Sequence, residues 1–376
     1  MKKTYIYLLF FSLVIIILYD TLYPILGTLM MPLQLLAIAV IVLSIPNYLR
    51  EERHENFLNS TVFLSLILFI YFVVSPKTEA GTTALKTCLY CLLVTLPFYI
   101  VRFDSKQIAR FFWILSVCCV WAFYSKLTSM RMEDESAYGG GFLALVCLPL
   151  GLYNLRNKKL SYRLIWFIVI IVCVVISLKR GDILALFAST VVYFTIFLFL
   201  KGRRNNFKYI LLLCVASVII GVALDRFVSS SELAQTRLEK TREGDTSNRD
   251  IIYAYYWNHF WDSGIEKKIL GNGFSATSTI LGEAAHNDWL EVLTDEGIIG
   301  VIAYLIMVLS LFRLTRKKTL PDSFRPIIGM IFTIVLIKSI FSMLIFSLPT
   351  TIMFALLGYM LNPETIQKER LLTSCS

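Results

Sequence analysis

Charged residues are scarce in this sequence: Asp, Glu, Lys and Arg make up 16% of 376 residues, against roughly 25% in ordinary soluble domains. Hydrophobic residues make up 57%, with 27 phenylalanines among them. A soluble fold cannot hide that much apolar surface, because its exterior still needs water-compatible groups. A cytosolic enzyme, a secreted disulfide scaffold and a disordered tail protein are excluded. The chain reads as an all-α polytopic membrane protein.

Other absences narrow this further. No small-x-small cleavage site follows the apolar stretch from Tyr5 to Leu18; Tyr19-Asp20 and Tyr23-Pro24 stand there instead, so the stretch reads as an uncleaved first span. Cys88-x-x-Cys91 has neither a nearby His nor a second pair, which argues against zinc or redox chemistry. Seven of the eight cysteines lie in apolar runs, where thiols act as small hydrophobes. The net charge of +10 does not point to nucleic acid, because in a membrane chain the placement of basic residues matters more than their sum.

Apolar runs near the roughly 20-residue span length number twelve: Tyr5–Tyr19, Leu22–Ile45, Phe57–Val74, Ala84–Val101, Ile108–Leu127, Gly139–Leu155, Leu164–Leu178, Ile183–Leu200, Tyr209–Leu224, Trp289–Phe312, Ile327–Phe346 and Pro349–Leu361. The last has the length of a re-entrant segment. Alternate connections hold 22 of the 36 basic residues and only 7 of the 26 acidic ones. Short loops rich in Lys and Arg stay in the cytoplasm, so both termini are expected inside. One connection is long, the mostly polar stretch between Leu224 and Trp289, and the alternation puts it outside. It has no cysteine, no Pro-rich stretch and no repeat. The sequon Asn59-Ser60-Thr61 falls on the inner face and is discarded.

Three external sites share a geometry. In Lys179-Arg180-Gly181-Asp182, Asp182 is a natural N-cap for the re-entering span, which places Arg180 at the positive end of that helix. In Ala285-His286-Asn287-Asp288-Trp289, Asn287 or Asp288 caps the tenth span and His286 precedes it. In the long loop, Ser247 and Asp250 match a capping box ahead of an aromatic run, with Arg249 in the first turn. There Tyr253, Tyr256, Trp257 and Phe260 form one stripe, as in a helix lying on a membrane surface.

Taken singly, each residue also has an ordinary reading. Arg180 could anchor to headgroups, Arg249 could be a solvated residue paired with Asp250 or Glu243, and His286 could serve a cap. The aromatic stripe could be packing or an interface belt. Lys338 and Lys86 lie within spans, where charge is a functional flag, although either could snorkel. His54 and His259 read as incidental. Together, two arginines and a histidine at outward-facing helix N-termini suit phosphate binding, bidentate recognition and proton removal near neutral pH. The alternatives are a carrier, whose binding residues tend to sit at the midplane, and metal-dependent transfer through Glu133-Asp134-Glu135, which lacks clear ligand spacing.

The order of these pieces, Arg180-Gly181, then Arg249, Gly271-Asn272-Gly273, His286-Asn287 and Glu296-Gly297-Ile298-Ile299-Gly300, resembles the O-antigen ligase/polymerase superfamily over about Ser177 to Tyr304. The resemblance implies a fold like the GT-C type glycosyltransferases, with about 12 transmembrane helices and one large periplasmic loop in a bacterial inner membrane. It implies three regions: N-terminal helices 1–163, a core 164–312 including the loop 225–288, and C-terminal helices with a cytoplasmic tail, 313–376. The implied reaction is metal-independent, inverting glycan transfer from undecaprenyl pyrophosphate to a lipid A–core or glycan acceptor, without a cofactor. His286 is then the base, and Arg180 and Arg249 clamp the pyrophosphate. Asn287, Asp182 and Lys338 are accessory candidates. Family members often carry a tryptophan a turn after the loop arginine, where this chain has Ile252 and Tyr253, so Arg242 and Arg237 are alternatives to Arg249. Ligation is favoured over repeat-unit polymerisation or protein glycosylation.

Overall fold

The computed structural model describes residues 3–51, 55–129, 140–177, 179–201, 235, 248–280, 282 and 284–374. Every regular element among them is a helix. The first half holds α1 (Lys3–Ile17), α2 (Tyr19–Leu49), α3 (Asn56–Val74), α4 (Glu79–Leu93), α5 (Thr95–Ile100), α6 (Ser105–Ser129) and α7 (Gly141–Leu155). Then come α8 (Leu160–Ile176), α9 (Arg180–Lys201), α10 (Arg249–Asp262), α11 (Ile265–Leu270), α12 (Thr277–Ile280), α13 (Asp288–Asp295) and α14 (Gly297–Thr315). The chain closes with α15 (Arg325–Phe341), α16 (Thr350–Leu361) and α17 (Pro363–Ser374).

Among the described residues, five stretches are long and apolar enough to cross a membrane: Asn56–Val74, Glu79–Ile100, Ser105–Ser125, Arg180–Leu200 and Gly297–Thr315. Among the described residues, shorter apolar stretches are Leu35–Leu49, the last part of α2, and the helices Gly141–Leu155, Leu160–Ile176 and Thr350–Leu361. The run Tyr209–Leu224 and the acidic triplet Glu133-Asp134-Glu135 lie outside the described residues.

Several apolar runs of the sequence are not continuous helices. The fourth breaks at Val94, between α4 and α5. The tenth breaks at Glu296, leaving the short α13 ahead of the span-length α14. The eleventh ends as helix at Phe341. The twelfth, α16, has 12 residues, all buried. At ~1.5 Å per residue it is far shorter than the roughly 30 Å hydrocarbon core. Cys88 and Cys91 are buried, and the Cys91 thiol donates to the Ser347 carbonyl at 3.2 Å, in keeping with a packing role.

The bundle has two chemically distinct ends. α3 runs antiparallel to α14: Glu55 meets Lys317 at 2.5 Å, Ser60 meets Ser310 at 2.7 Å, and the Ser75 hydroxyl accepts the Phe274 N–H at 2.7 Å. The Glu55 end also gathers a buried fork in which Arg156 donates to both Glu369 oxygens at 2.9 and 2.8 Å, with Ser323 donating to the same carboxylate. The tail helix α17 is docked by that fork. Arg180, Arg249 and His286 lie toward the opposite end.

At that opposite end two of the resemblance motifs meet. Asn272 and Gly273 donate backbone N–H groups to the Thr294 and Asp295 carbonyls at 3.0 and 2.9 Å. Gly271 and Gly297 have φ of +73° and +66°, a region costly for any residue with a Cβ. A Cβ on Gly297 would also stand 2.5 Å from the Gly271 nitrogen and the Ile269 oxygen. Gly297→Ala is expected to lose roughly 1–2 kcal/mol to backbone conformation alone, with the collision added. Purified protein should therefore melt several degrees lower, and an unchanged melting temperature would contradict this crossing.

Candidate active site

The site is built around the C-terminal end of α15. A helix leaves its last carbonyls without intrahelical donors, and two of those on α15 are taken by the loop helix α10. Arg249 Nη1 donates to the Phe341 carbonyl at 2.7 Å, which also suits a cation near a helix C-terminus. The Tyr253 hydroxyl lies 3.3 Å from the Ile340 carbonyl and 3.2 Å from the His286 carbonyl. Burial raises the Tyr253 phenol pKa, with the nearby Arg249 charge opposing, so the hydroxyl keeps its proton and acts as donor.

The start of α9 approaches the same place. A Cβ added to Gly181 would sit 3.5 Å from the Phe341 Cβ and 3.9 Å from its carbonyl oxygen. Arg180, Arg249 and His286 therefore converge on the 340–341 turn, although 106 residues separate Arg180 from His286. Arg180 and His286 are exposed and Arg249 is half-buried. Arg242 and Arg237 lie outside the described residues.

His286 has φ of +52°. For a residue with a Cβ this costs on the order of 1 kcal/mol or more, and such strain concentrates where function requires it. The next residue explains how the strain is held. Asn287 N-caps α13, its Oδ1 accepting the Trp289 and Leu290 N–H groups at 2.9 and 3.1 Å. Asp288 does not cap; it is fully buried and accepts from Leu344 N at 2.9 Å, Ile345 N at 3.3 Å and the Tyr304 hydroxyl at 2.8 Å. One carboxyl group thus joins α13, α14 and the α15–α16 connection. Trp289 Nε1 donates to Ser339 Oγ at 3.1 Å, fixing α13 on α15.

Two sequence expectations need correction. Asp182 is not the N-cap of α9: the helix begins at Arg180, and the Asp182 carboxylate lies inside its first turn, 2.6 Å from Lys338 Nζ with both side chains buried. Lys338 therefore does not snorkel, because its buried counter-ion holds it in the bundle. The aromatic stripe also divides. Tyr256 is fully buried, donating to the Thr277 carbonyl at 3.0 Å, and Ile252, Tyr253, Ala285 and Leu290 pack with it. Trp257 and Trp261 are exposed. Ser247 of the expected capping box is outside the described residues; Asn248, the N-cap residue, is left-handed and makes no side-chain cap bond.

Sequence reasoning missed an acidic framework behind the histidine. Glu291 accepts from Thr277 Oγ1 at 2.6 Å and Ala285 N at 2.7 Å, and Asp295 accepts from Thr277 N at 2.8 Å. The spacing of Asp288, Glu291 and Asp295 places all three on one face of α13, a signal that was present in the sequence. Glu296 is fully buried, and its carboxyl oxygens have no hydrogen-bond partner among the described residues. Its burial and the neighbouring Asp295 push its pKa well above the usual carboxylate range.

A helical, membrane-type protein with two arginines and a strained histidine at one end of its bundle is the class that this geometry defines. Residues 165–305, from α8 into α14, match the model of a family described as O-antigen ligase. That match supports glycan transfer of the ligase or polymerase type in general. No curated protein matches the chain.

Burial drives the Asp288 carboxyl up from 3.8 to about 7, against the opposing bonds from Tyr304, Leu344 and Ile345. The folded chain then holds a proton that the unfolded chain releases, so this contribution to stability is complete below pH 3.8 and is lost as pH rises through about 7. Glu291 and Asp295 are raised by burial in the same direction. The melting temperature should fall from mildly acidic to mildly alkaline pH, and Asp288→Asn should flatten that fall without abolishing it. An Asp288→Asn profile as steep as wild type would contradict this protonation assignment.

Proposed function

We propose that the protein transfers a glycan from undecaprenyl pyrophosphate to an acceptor hydroxyl on the periplasmic face of a bacterial inner membrane, most simply as an O-antigen ligase acting on lipid A–core. The observation that carries this reading is the convergence of Arg180, Arg249 and the strained His286 on the 340–341 turn. The topology proposed with it has about twelve spans, both termini cytoplasmic and the 225–288 loop over the site.

In this reading the His286 imidazole accepts the acceptor hydroxyl proton as its oxygen attacks the anomeric carbon. The bond from that carbon to the pyrophosphate oxygen breaks, and its electron pair leaves with the lipid pyrophosphate. The products are the glycoside, lipid pyrophosphate and a protonated His286. Attack opposite the leaving group inverts the anomeric centre. Arg180, at the positive end of α9, and Arg249 neutralise the leaving charge, each offering planar N–H donors that match phosphate oxygens. The bond to Phe341 occupies one of the five N–H groups of Arg249. Charge neutralisation by two guanidinium groups makes transfer insensitive to chelator.

Asn populates left-handed backbone more readily than His, so His286→Asn should fold at least as well as wild type. With lipid-linked glycan in proteoliposomes it should lose transfer by about 10²–10⁴-fold, and wild-type turnover would remove His286 as base. Complementation of a null strain sorts the acceptor classes. Full-length glycan stranded on its lipid carrier in the Arg180→Ala or His286→Ala strain marks a ligase. A single repeat unit reaching the acceptor marks a polymerase, and a glycan missing from protein marks an oligosaccharyltransferase. Full complementation by both variants would favour a transporter.

A further inference from the structure

A fully buried pair of opposite charges lies beside the site. Asp182 Oδ1 and Lys338 Nζ are 2.6 Å apart, and the side chains are 0% and 1% exposed. The ammonium also stands 4.5 Å from the centroid of the Phe142 ring. The second carboxylate oxygen, Oδ2, faces Gly141 so closely that a Cβ there would approach it to 2.7 Å, and it has no hydrogen-bond partner among the described residues. α7, α9 and α15 therefore enclose the pair on three sides.

Such a pair is a poor device for stability, because desolvating two charges offsets most of their attraction. It is a good device for register. Elsewhere α9 and α15 meet through apolar packing, as where Gly329 accommodates Val192 and Ile196, and apolar contact is non-directional. A single short ion pair fixes how far one helix slides along the other and how each is rotated. Gly181 directly precedes Asp182 and Phe341 lies about one turn after Lys338, and a Cβ on Gly181 would stand 3.5 Å from the Phe341 Cβ; Arg249 is bonded to the carbonyl of that same Phe341.

We propose that the buried Asp182–Lys338 pair is the register pin of the donor site: it fixes the start of α9 against the end of α15 and so sets the spacing of Arg180 and Arg249. The inference rests on the pyrophosphate-clamp reading above and assigns positioning residues to it. Asp182 and Lys338 touch no substrate. Their effect passes through Gly181 on one helix and Phe341 on the other, so it falls on the donor and leaves the acceptor untouched.

Removing one partner strands a buried charge and endangers folding, so the informative variant removes both, Asp182→Asn with Lys338→Met. In nanodiscs, the affinity of the purified full-length protein for undecaprenyl pyrophosphate should fall about tenfold, the worth of one well-placed charge-assisted bond. In transfer assays the KM for lipid-linked glycan should rise by a similar factor, with the acceptor KM unchanged. A merely structural pair would lower the folded fraction and leave both constants of the folded protein at wild-type values. Wild-type donor affinity in the double variant, alongside lost affinity in Arg180→Ala, overturns the pin and spares the clamp. Undiminished affinity in both Arg180→Ala and Arg249→Ala overturns the clamp and the pin with it.

Discussion

A helix ends with carbonyls that have no donor of their own, and in this protein the end of α15 satisfies that demand with the residues of its site. The Ile340 and Phe341 carbonyls draw in Tyr253 and Arg249 from a helix far off in sequence. Tyr253 also reaches the His286 carbonyl, and the start of α9 packs on Phe341. The negative end of one helix dipole and the positive end of another thus lie side by side. Arg249 is seated by the first, and Arg180 stands at the second.

Holding that arrangement requires α13 to stay where it is, and the protein uses buried acids for the purpose. Asp288 ties the start of α13 to the connection after α15, while Glu291 and Asp295 hold the segment around Thr277 and Ala285. The close crossing of Gly271 and Gly297 lets the chain break ahead of α14 and continue as a span-length helix. A strained His286 is affordable between these anchors, because the cap at Asn287 and the fixed carboxyls over-determine its position.

Much of this was legible in the sequence, for definite reasons. Runs of apolar residues announce helices whatever their partners, so most elements fall where hydropathy puts them. That Arg180, Arg249 and Asn287 stand at helix starts was legible from local sequence, although of the expected caps among the described residues it is Asn287 that makes a side-chain cap bond. The breaks were harder. Val94, three residues ahead of Pro97, and Glu296, ahead of the left-handed Gly297, interrupt helices inside apolar runs, and a Glu-Gly pair within such a run was itself a warning. Asp182 was misread because a first-turn acid looks the same whether it caps its own helix or pairs with a distant lysine. Lys338, 156 residues away, could be matched to it only in three dimensions. Tyr253 and Asp288 were likewise invisible as organisers, since their partners are carbonyls and amides that sequence does not distinguish.

The central claim is that a lipid diphosphate is held at the end of the bundle where α9 starts and α15 stops. Cryo-electron microscopy of the full chain in nanodiscs with undecaprenyl pyrophosphate would test it most directly. The account predicts diphosphate density within hydrogen-bond reach of Arg180 and Arg249, beside His286. Density at the middle of the bundle, or at the Arg156 and Lys317 end, would contradict it.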